Sequence, residues 1–411
     1  MRGFASRAIH GQPPFKRDVH GALRFPVYDS AAFEVGSSRE LELAFTGRKP
    51  SHSYTRITNP TVEEFEQKVR LLTGSFAVVA VASGMAAITE TVLALCESGS
   101  NIVTSPYLFG NTTSLFESTL KRWGLEVRKA SMADPSSLEG VIDDKTRMVF
   151  LEIISNPQME VADISEICRV AKQKNVPVVL DGTLSTPYIF RSKEAGVAVE
   201  IISSTKYMSG GATSTGGLII DNGTFNWKQH PAVADDALKV GPAAFATRLR
   251  REIHRNLGSC LAPHNAWLQS LGLETLALRM EKSCTNALEV ATFLESSLQI
   301  LHVNYSGLTS SPFHATALAQ FGKRFGGLLT FELSSKEECF NLMDSLKMIK
   351  RATNLNDNKT LILHPASTIF CDYNAKEREE MLVNDRMIRL SVGIEDVQDI
   401  IDDLKQGLEK L

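Results

Sequence analysis

From about residue 54 onward the chain alternates short apolar runs with longer amphipathic ones. The apolar runs are 77–82 (AVVAVA), 102–105 (IVTS), 148–154 (MVFLEII), 176–180 (VPVVL), 201–204 (IISS) and 217–221 (GLIID). They do not alternate polar with apolar residues, which predicts strands buried on both faces. Between them, the stretch 164–173 (ISEICRVAKQ) puts Ile164, Ile167, Cys168 and Ala171 on one helical face. Strands alternating with helices predict an α/β fold, an open and mostly parallel sheet flanked by helices. Near residue 257 the pattern changes. Residues 261–298 read as nearly unbroken helix, 328–333 (LLTFEL) and 388–392 (IRLSV) as short strands, and 397–411 as a final helix. The first fifty or so residues carry Pro and Gly too often for a helix or central strand, as in GQPPFKRDVHGALRFP. The expected division is an arm (1–53) lying on a neighbouring subunit, an α/β domain (54–256) and a smaller C-terminal α+β domain (257–411).

Composition narrows the function classes. The chain has 411 residues, enough for two or three domains of about 150 residues. Lys plus Arg number 44 and Asp plus Glu 47, a net charge of −3 that argues against a protein built around nucleic-acid phosphates. The basic stretch 248–255 (RLRREIHR) is therefore expected as a solvated or interface helix face. No run of about 18 apolar residues predicts a membrane span, and the N-terminus lacks the apolar core of a signal peptide. The six cysteines lie at 96, 168, 260, 284, 339 and 371, with no CxxC pair. Reduced thiols and a cytoplasmic location are expected. The nine histidines show no metal-ligand spacing, and no metal is expected.

Candidate chemistry sits where three predicted strands end, since open α/β sheets bind ligands beyond their carboxyl ends. After AVVAVA comes Ser83-Gly84-Met85, a small-residue turn into a helix whose free N–H groups suit a phosphate. After VPVVL comes Asp181, and after IISS come Thr205 and Lys206. Each has a bland alternative: a plain turn, a capping carboxylate, and a lysine that snorkels to water. Together they are what pyridoxal phosphate needs, because a lysine bonds its aldehyde and an aspartate keeps its pyridine nitrogen protonated.

The chain resembles the Cys/Met-metabolism branch of fold-type I pyridoxal-phosphate enzymes nearly end to end. The likeness is carried by Tyr54-Thr-Arg56-Ile-Thr-Asn59-Pro60-Thr61, Ala82-Ser83-Gly84-Met85-Ala86, Ser155-Asn156-Pro157, Asp181-Gly182-Thr183, Ser203-Ser204-Thr205-Lys206-Tyr207, His364-Pro365-Ala366-Ser367 and Arg389-Leu390-Ser391-Val392-Gly393. It implies that Lys206 carries the cofactor and shuttles protons, that Asp181 holds the pyridine nitrogen, and that Asn156 lies near the cofactor's 3′-oxygen. It further implies that Ser83, Gly84, Met85, Thr183, Ser203 and Thr205 hold the cofactor and its phosphate. Tyr54 and Arg56 are implied to reach the phosphate of the neighbouring subunit. Arg389 is implied to clamp the substrate α-carboxylate, with Asn354 and Tyr54 as further substrate contacts. A homotetramer built from two dimers is the family habit.

Three departures shape the functional expectation. The family usually stacks a tyrosine on the cofactor ring, and here that position is Phe109, whose ring stacks without offering a hydroxyl. Methionine γ-lyases typically carry a cysteine two residues later, and here Asn111 stands there. The usual Asp-Asn-Thr is Asp181-Gly182-Thr183. The FGNT motif, the SGGATSTGG run, the stretch 248–280 and the ending RLSVGIED look most like sulfhydrylases. The resemblance therefore implies γ-replacement on O-acetylhomoserine, or O-succinylhomoserine, by sulfide or a thiol. The alternatives are methionine γ-lyase or a related cystathionine synthase or lyase, and a non-catalytic binding descendant.

Overall fold

The apolar runs become strands that start within two residues of the expected positions, because Val and Ile fit a pleated surface covered on both sides. In the computed structural model, which describes residues 2–11 and 20–411, they form β1 (Ala77–Val81), β2 (Asn101–Thr104), β4 (Thr146–Glu152), β5 (Val178–Asp181), β6 (Val199–Ile202) and β7 (Gly217–Asp221). A strand not expected from the pattern, β3 (Glu126–Lys129), pairs in parallel with β2 at the sheet edge. Its half-solvated EVRK sequence lacks the apolar run that marked the others. The sheet order is β1-β7-β6-β5-β4-β2-β3. All pairs are parallel except those of β7, which is antiparallel to both β1 and β6.

A second sheet follows, of β8 (His302–Asn304), β9 (Leu328–Glu332), β10 (Lys350–Arg351), β11 (Leu361–Leu363) and β12 (Met387–Ser391), in the order β10-β11-β12-β9-β8. β8, β10 and β11 are two or three residues long, too short to leave a period in the sequence. One continuous apolar core joins the two sheets: Val149, Leu151 and Leu180 share it with Leu329, Phe331, Ile388 and Leu390, and with Ala287, Val290 and Leu294 of the helix Leu276–Glu295. A second core packs Ala87 and Ile88, on the helix Gly84–Leu95, over Val79, Val179, Ile201 and Ile219.

Three expectations change. The helical stretch 261–298 is two helices, Pro263–Glu274 and Leu276–Glu295, separated at Thr275. The first packs on the helix Pro60–Thr73, with Ser270 Oγ donating to Glu64 Oε2 at 2.8 Å. The arm is not irregular throughout. Phe4–His10 is helical and buries Ala8, and Ser38–Phe45 is a helix started by Ser37, whose hydroxyl accepts from Glu40 N at 3.2 Å. Residues 12–19 of the GQPPFKRDVHGALRFP segment lie outside the described residues. The basic stretch 248–255 is divided: Arg251 and Arg255 are exposed, as expected of a solvated face, while part of it is tied inward. Arg250 pairs with Glu66 at 2.5 Å, and buried His254 faces Glu90 at 3.2 Å. All six cysteines are free thiols. Among the described residues no helix is long and apolar enough to cross a membrane.

Candidate active site

Two strand ends bring two carboxyls side by side. Asp181 closes β5, Glu152 closes β4, and the two are register partners. Both are half-buried. Burial raises Glu152 well above the carboxylate range and the Asp181 charge adds to it, while the N–H of Phe109, donated to Glu152 Oε1 at 2.6 Å, opposes. Burial raises Asp181 as well, opposed by the Thr183 side chain and by the Thr183 N–H, which donates to Asp181 Oδ1 at 2.9 Å. Among the described residues no basic side chain forms an ion pair with Asp181. A buried carboxylate without a cation costs several kcal/mol, so this one is built to meet a positive group from outside the chain.

Lys206 follows β6 by four residues, and the loop that carries it is tied to Asp181 through Thr183, whose Oγ1 accepts from Ser203 N at 2.8 Å. Lys206 Nζ donates to Asn354 Oδ1 at 2.6 Å. Burial lowers its pKa to about 8, with the Arg389 charge assisting and Asp357 opposing. An amine in that range exchanges protons readily near neutrality. Asn354 Nδ2 donates in turn to Asp357 Oδ2 at 3.2 Å. Arg389, only 1% exposed, points its guanidinium at Asn156 Oδ1 (3.1 Å) and at the carbonyls of Thr353 (3.3 Å) and Asn354 (3.2 Å). Burial lowers it to about 10, so it stays cationic at neutral pH. Its acceptors are neutral, which leaves this buried cation in want of an anion.

The phosphate end is built by the helix Gly84–Leu95. Ser83 caps it, its Oγ accepting from Ala86 N at 3.1 Å, so the N–H groups of Gly84 and Met85 keep no intrahelical acceptor. Gly84 is required here, because a Cβ would lie 2.7 Å from Ser203 Cβ. Ser203 thus abuts the helix start. Thr205 is turned away: its hydroxyl donates to Gly216 O at 3.1 Å and accepts from Gly216 N at 3.0 Å. Phe109, half-buried, precedes the short helix Gly110–Ser114 and sits over Glu152 through its N–H. Asn156 is drawn to Arg389.

Tyr54 and Arg56 are not brought to this cluster. Tyr54 is 43% exposed, the Arg56 guanidinium lies 5.5 Å from its ring centroid, and Arg56 also donates to Arg255 O. A cavity of about 1570 Å³ opens on that side, between the arm and residues 250–261, and Lys206 does not line it. Glu152 and Asp357 were missed in the sequence. Glu152 had a readable signal, an acid inside MVFLEII at the same strand-end place as Asp181. Asp357 sits in a polar loop, TNLNDNKT, with no periodicity to single it out.

Pyridoxal phosphate fits these residues. A carboxylate lacking a cation would suit a pyridinium, a half-buried amine with a lowered pKa would suit an aldehyde, and free N–H groups at a helix start would suit a phosphate. Fold and site define the class, a fold-type I pyridoxal-phosphate enzyme. Residues 5–409 match the model of the Cys/Met metabolism PLP-dependent enzymes, and the chain belongs to that family. It is 36% identical to O-acetyl-L-homoserine sulfhydrylase of Corynebacterium glutamicum over 98% of this chain and 96% of that protein. To L-methionine gamma-lyase of Pseudomonas putida it is 34% identical, over 100% and 98%. A Campylobacter jejuni structure holding N′-pyridoxyl-lysine-5′-monophosphate superposes with a TM-score of 0.92 at 34% identity, covering 99% of this chain and 100% of that one. O-acetylhomoserine sulfhydrylase of Wolinella succinogenes, from methionine biosynthesis, is 47% identical with a TM-score of 0.78 over 86% and 99%.

Proposed function

We propose that this chain catalyses γ-replacement on O-acetyl-L-homoserine, or its O-succinyl counterpart, by sulfide or a thiol, giving homocysteine or methionine. One observation carries the reading: Asn354 binds Lys206 through its side chain and Arg389 through its carbonyl. A proton-moving amine and a carboxylate-binding cation are thereby placed in one hydrogen-bonded group, as an amino-acid substrate requires. The choice of replacement over elimination is supported mainly by the two sulfhydrylase relatives, and only mildly by Asn111 at the place of the lyase cysteine.

Bound pyridoxal phosphate supplies an electron sink that makes the substrate's Cα–H and then Cβ–H acidic. Asp181 would balance the charge of the cofactor's ring nitrogen, and Phe109 offers an aromatic face on which that ring could stack. Gly84 and Met85 offer N–H groups to the phosphate, with Ser83 shaping the turn and Ser203 beside it. Arg389 grips the α-carboxylate in two-pronged fashion, which Arg suits better than Lys. Lys206 Nζ would take the proton from Cα, hand it on to the bound cofactor and then take one from Cβ; the acyloxy group would leave Cγ as acetate or succinate, sulfur would bond to Cγ in its place, and Lys206 would return the protons to Cβ and Cα. Phe109 has no hydroxyl to share this work, so Lys206 carries it alone. Tyr54 and Arg56, both turned to solvent, complete the phosphate site of a neighbouring subunit in a cytoplasmic tetramer of two dimers. Product identification tests the reading, using O-acetylhomoserine and O-succinylhomoserine, each with and without sulfide. Homocysteine formed only with sulfide supports it. Ammonia and a 2-oxo acid released from methionine at a higher rate would make the chain a γ-lyase instead.

A further inference from the structure

Gly182, the departure from Asp-Asn-Thr, has a neighbour that accounts for it. A Cβ at Gly182 would lie 2.2 Å from Glu200 Oε1 and 3.1 Å from Glu200 Cδ. Glu200 pairs with Leu180 across β5 and β6, and Asp181 with Ile201. Side chains alternate along a strand, so the carboxyls of Asp181 and Glu200 lie on opposite faces of the sheet, with Gly182 at the turn between them. Glu200 is 1% exposed. Its Oε2 accepts from Ser192 Oγ at 2.6 Å, while Oε1 is buried with no hydrogen-bond partner. Ser192 in turn accepts from Asn222 Nδ2 at 3.0 Å. Burial pushes Glu200 up to about 7; the Ser192 bond opposes and the Asp181 charge adds. A sealed carboxyl with one orphan oxygen weakens the fold, so its presence calls for a role other than stability.

We propose that Glu200 is a positioning residue for Asp181, its carboxyl filling the place of a side chain at 182 and backing the Asp181–Thr183 turn from the far face of the sheet. The turn it backs is the one in which Gly182 N donates to Ile201 O at 2.9 Å and Thr183 N donates to Asp181 Oδ1 at 2.9 Å. The aim of Asp181 at the ring nitrogen therefore depends on Gly182 and Glu200 as a matched pair. This rests on the reading of Asp181 as the partner of that nitrogen.

The test measures the dissociation constant of pyridoxal phosphate, the visible absorption band of the reconstituted enzyme, kcat and KM. Glu200→Ala is expected to weaken cofactor binding about tenfold and to lower kcat with KM unchanged, as for neighbours in one polar network. Gly182→Ala is expected to weaken binding by a similar factor, and Gly182→Ala with Glu200→Ala to recover most of it. In an Asp181→Asn background, Glu200→Ala should add no further loss. Gly182→Ala disturbs the same contact from the other side, so it carries the same cycle if Glu200→Ala fails to fold. An equal loss with and without Asp181, or a lowered melting temperature of the cofactor-free chain with unchanged binding, would overturn the proposal. Should Asp181→Asn alone leave binding and the visible band unchanged, the role of Asp181 itself falls, a result distinct from either.

Discussion

Two regions of this molecule are cofactor candidates by family resemblance, and the fold treats them in opposite ways. Around Lys206, groups more than a hundred residues apart are gathered, Lys206 on Asn354 and the buried Arg389 on Asn156, beside the local Asp181–Thr183 turn. Around Tyr54 and Arg56 the side chains stand largely in water, held by a cation–aromatic contact and one carbonyl. The first region has charges that lack counterions, Asp181 and Arg389, so what it binds must supply both signs. The second has a cation and a phenol facing outward, where the proposed neighbouring subunit would meet them. A buried unmatched charge points to a ligand, whereas an exposed pair already in mutual contact leaves its role to whatever meets that surface.

The comparison breaks most sharply at Lys206. Lys206→Ala should lower turnover by at least about 10³-fold and remove the visible band of bound cofactor, since acid–base groups of this kind contribute about 10²–10⁴-fold. Assays of a purified variant with wild-type turnover would refute the assignment. The same variant sharpens the second region. Mixed with Arg56→Ala, itself nearly inactive, it should regain activity as subunits exchange, because one of the two sites in a hybrid dimer keeps both residues. Failure of the hybrids to recover would place Arg56 outside the neighbour's site.

Arg389→Lys should lower kcat/KM about 10²-fold, mostly through KM, because a single ammonium cannot reproduce two parallel hydrogen bonds. A smaller effect follows from the depressed amine. Lys206 sits at about 8 in the fold against the usual 10.5. Between those values the unfolded chain binds more protons than the folded one, so the contribution of Lys206 to stability rises with pH across that window. Melting of the cofactor-free chain should show Lys206→Met gaining on wild type below pH 8 and losing that advantage toward pH 10. The smallest change is expected at exposed Asn111. Asn111→Cys should shift the ratio of elimination to replacement by about twofold or less, in line with surface substitutions. A large shift toward 2-oxo acid would make that position decisive for the reaction.

Much of the large sheet was legible because its strands are buried on both faces and their apolar runs leave an unbroken mark. The helix Ile164–Gln173 was legible to the residue, since Asp163 caps it and one face is apolar. The edge strand Glu126–Lys129 and the three shortest strands of the second sheet were not. Their pairing depends on neighbours distant in the chain, not on their own pattern. Strand-end Asp181 and Lys206 could be read from their places after apolar runs. Glu152 obeyed the same rule and was passed over. Glu200 gave no sign of its relation to Gly182, since that contact exists only once β5 and β6 are paired.

The sequence by itself determined the α/β alternation, the helix start that suits a phosphate, and the residue types of a pyridoxal-phosphate site, because these rest on local periodicity and on motifs contiguous in the chain. Only the tertiary structure decided that Arg389 is sealed against Asn156, that Asn354 joins it to Lys206, that Tyr54 and Arg56 face outward, and that a glutamate stands behind Gly182. Those facts depend on burial and charge across long separations, and burial is a property of the folded assembly of strands that no local stretch carries.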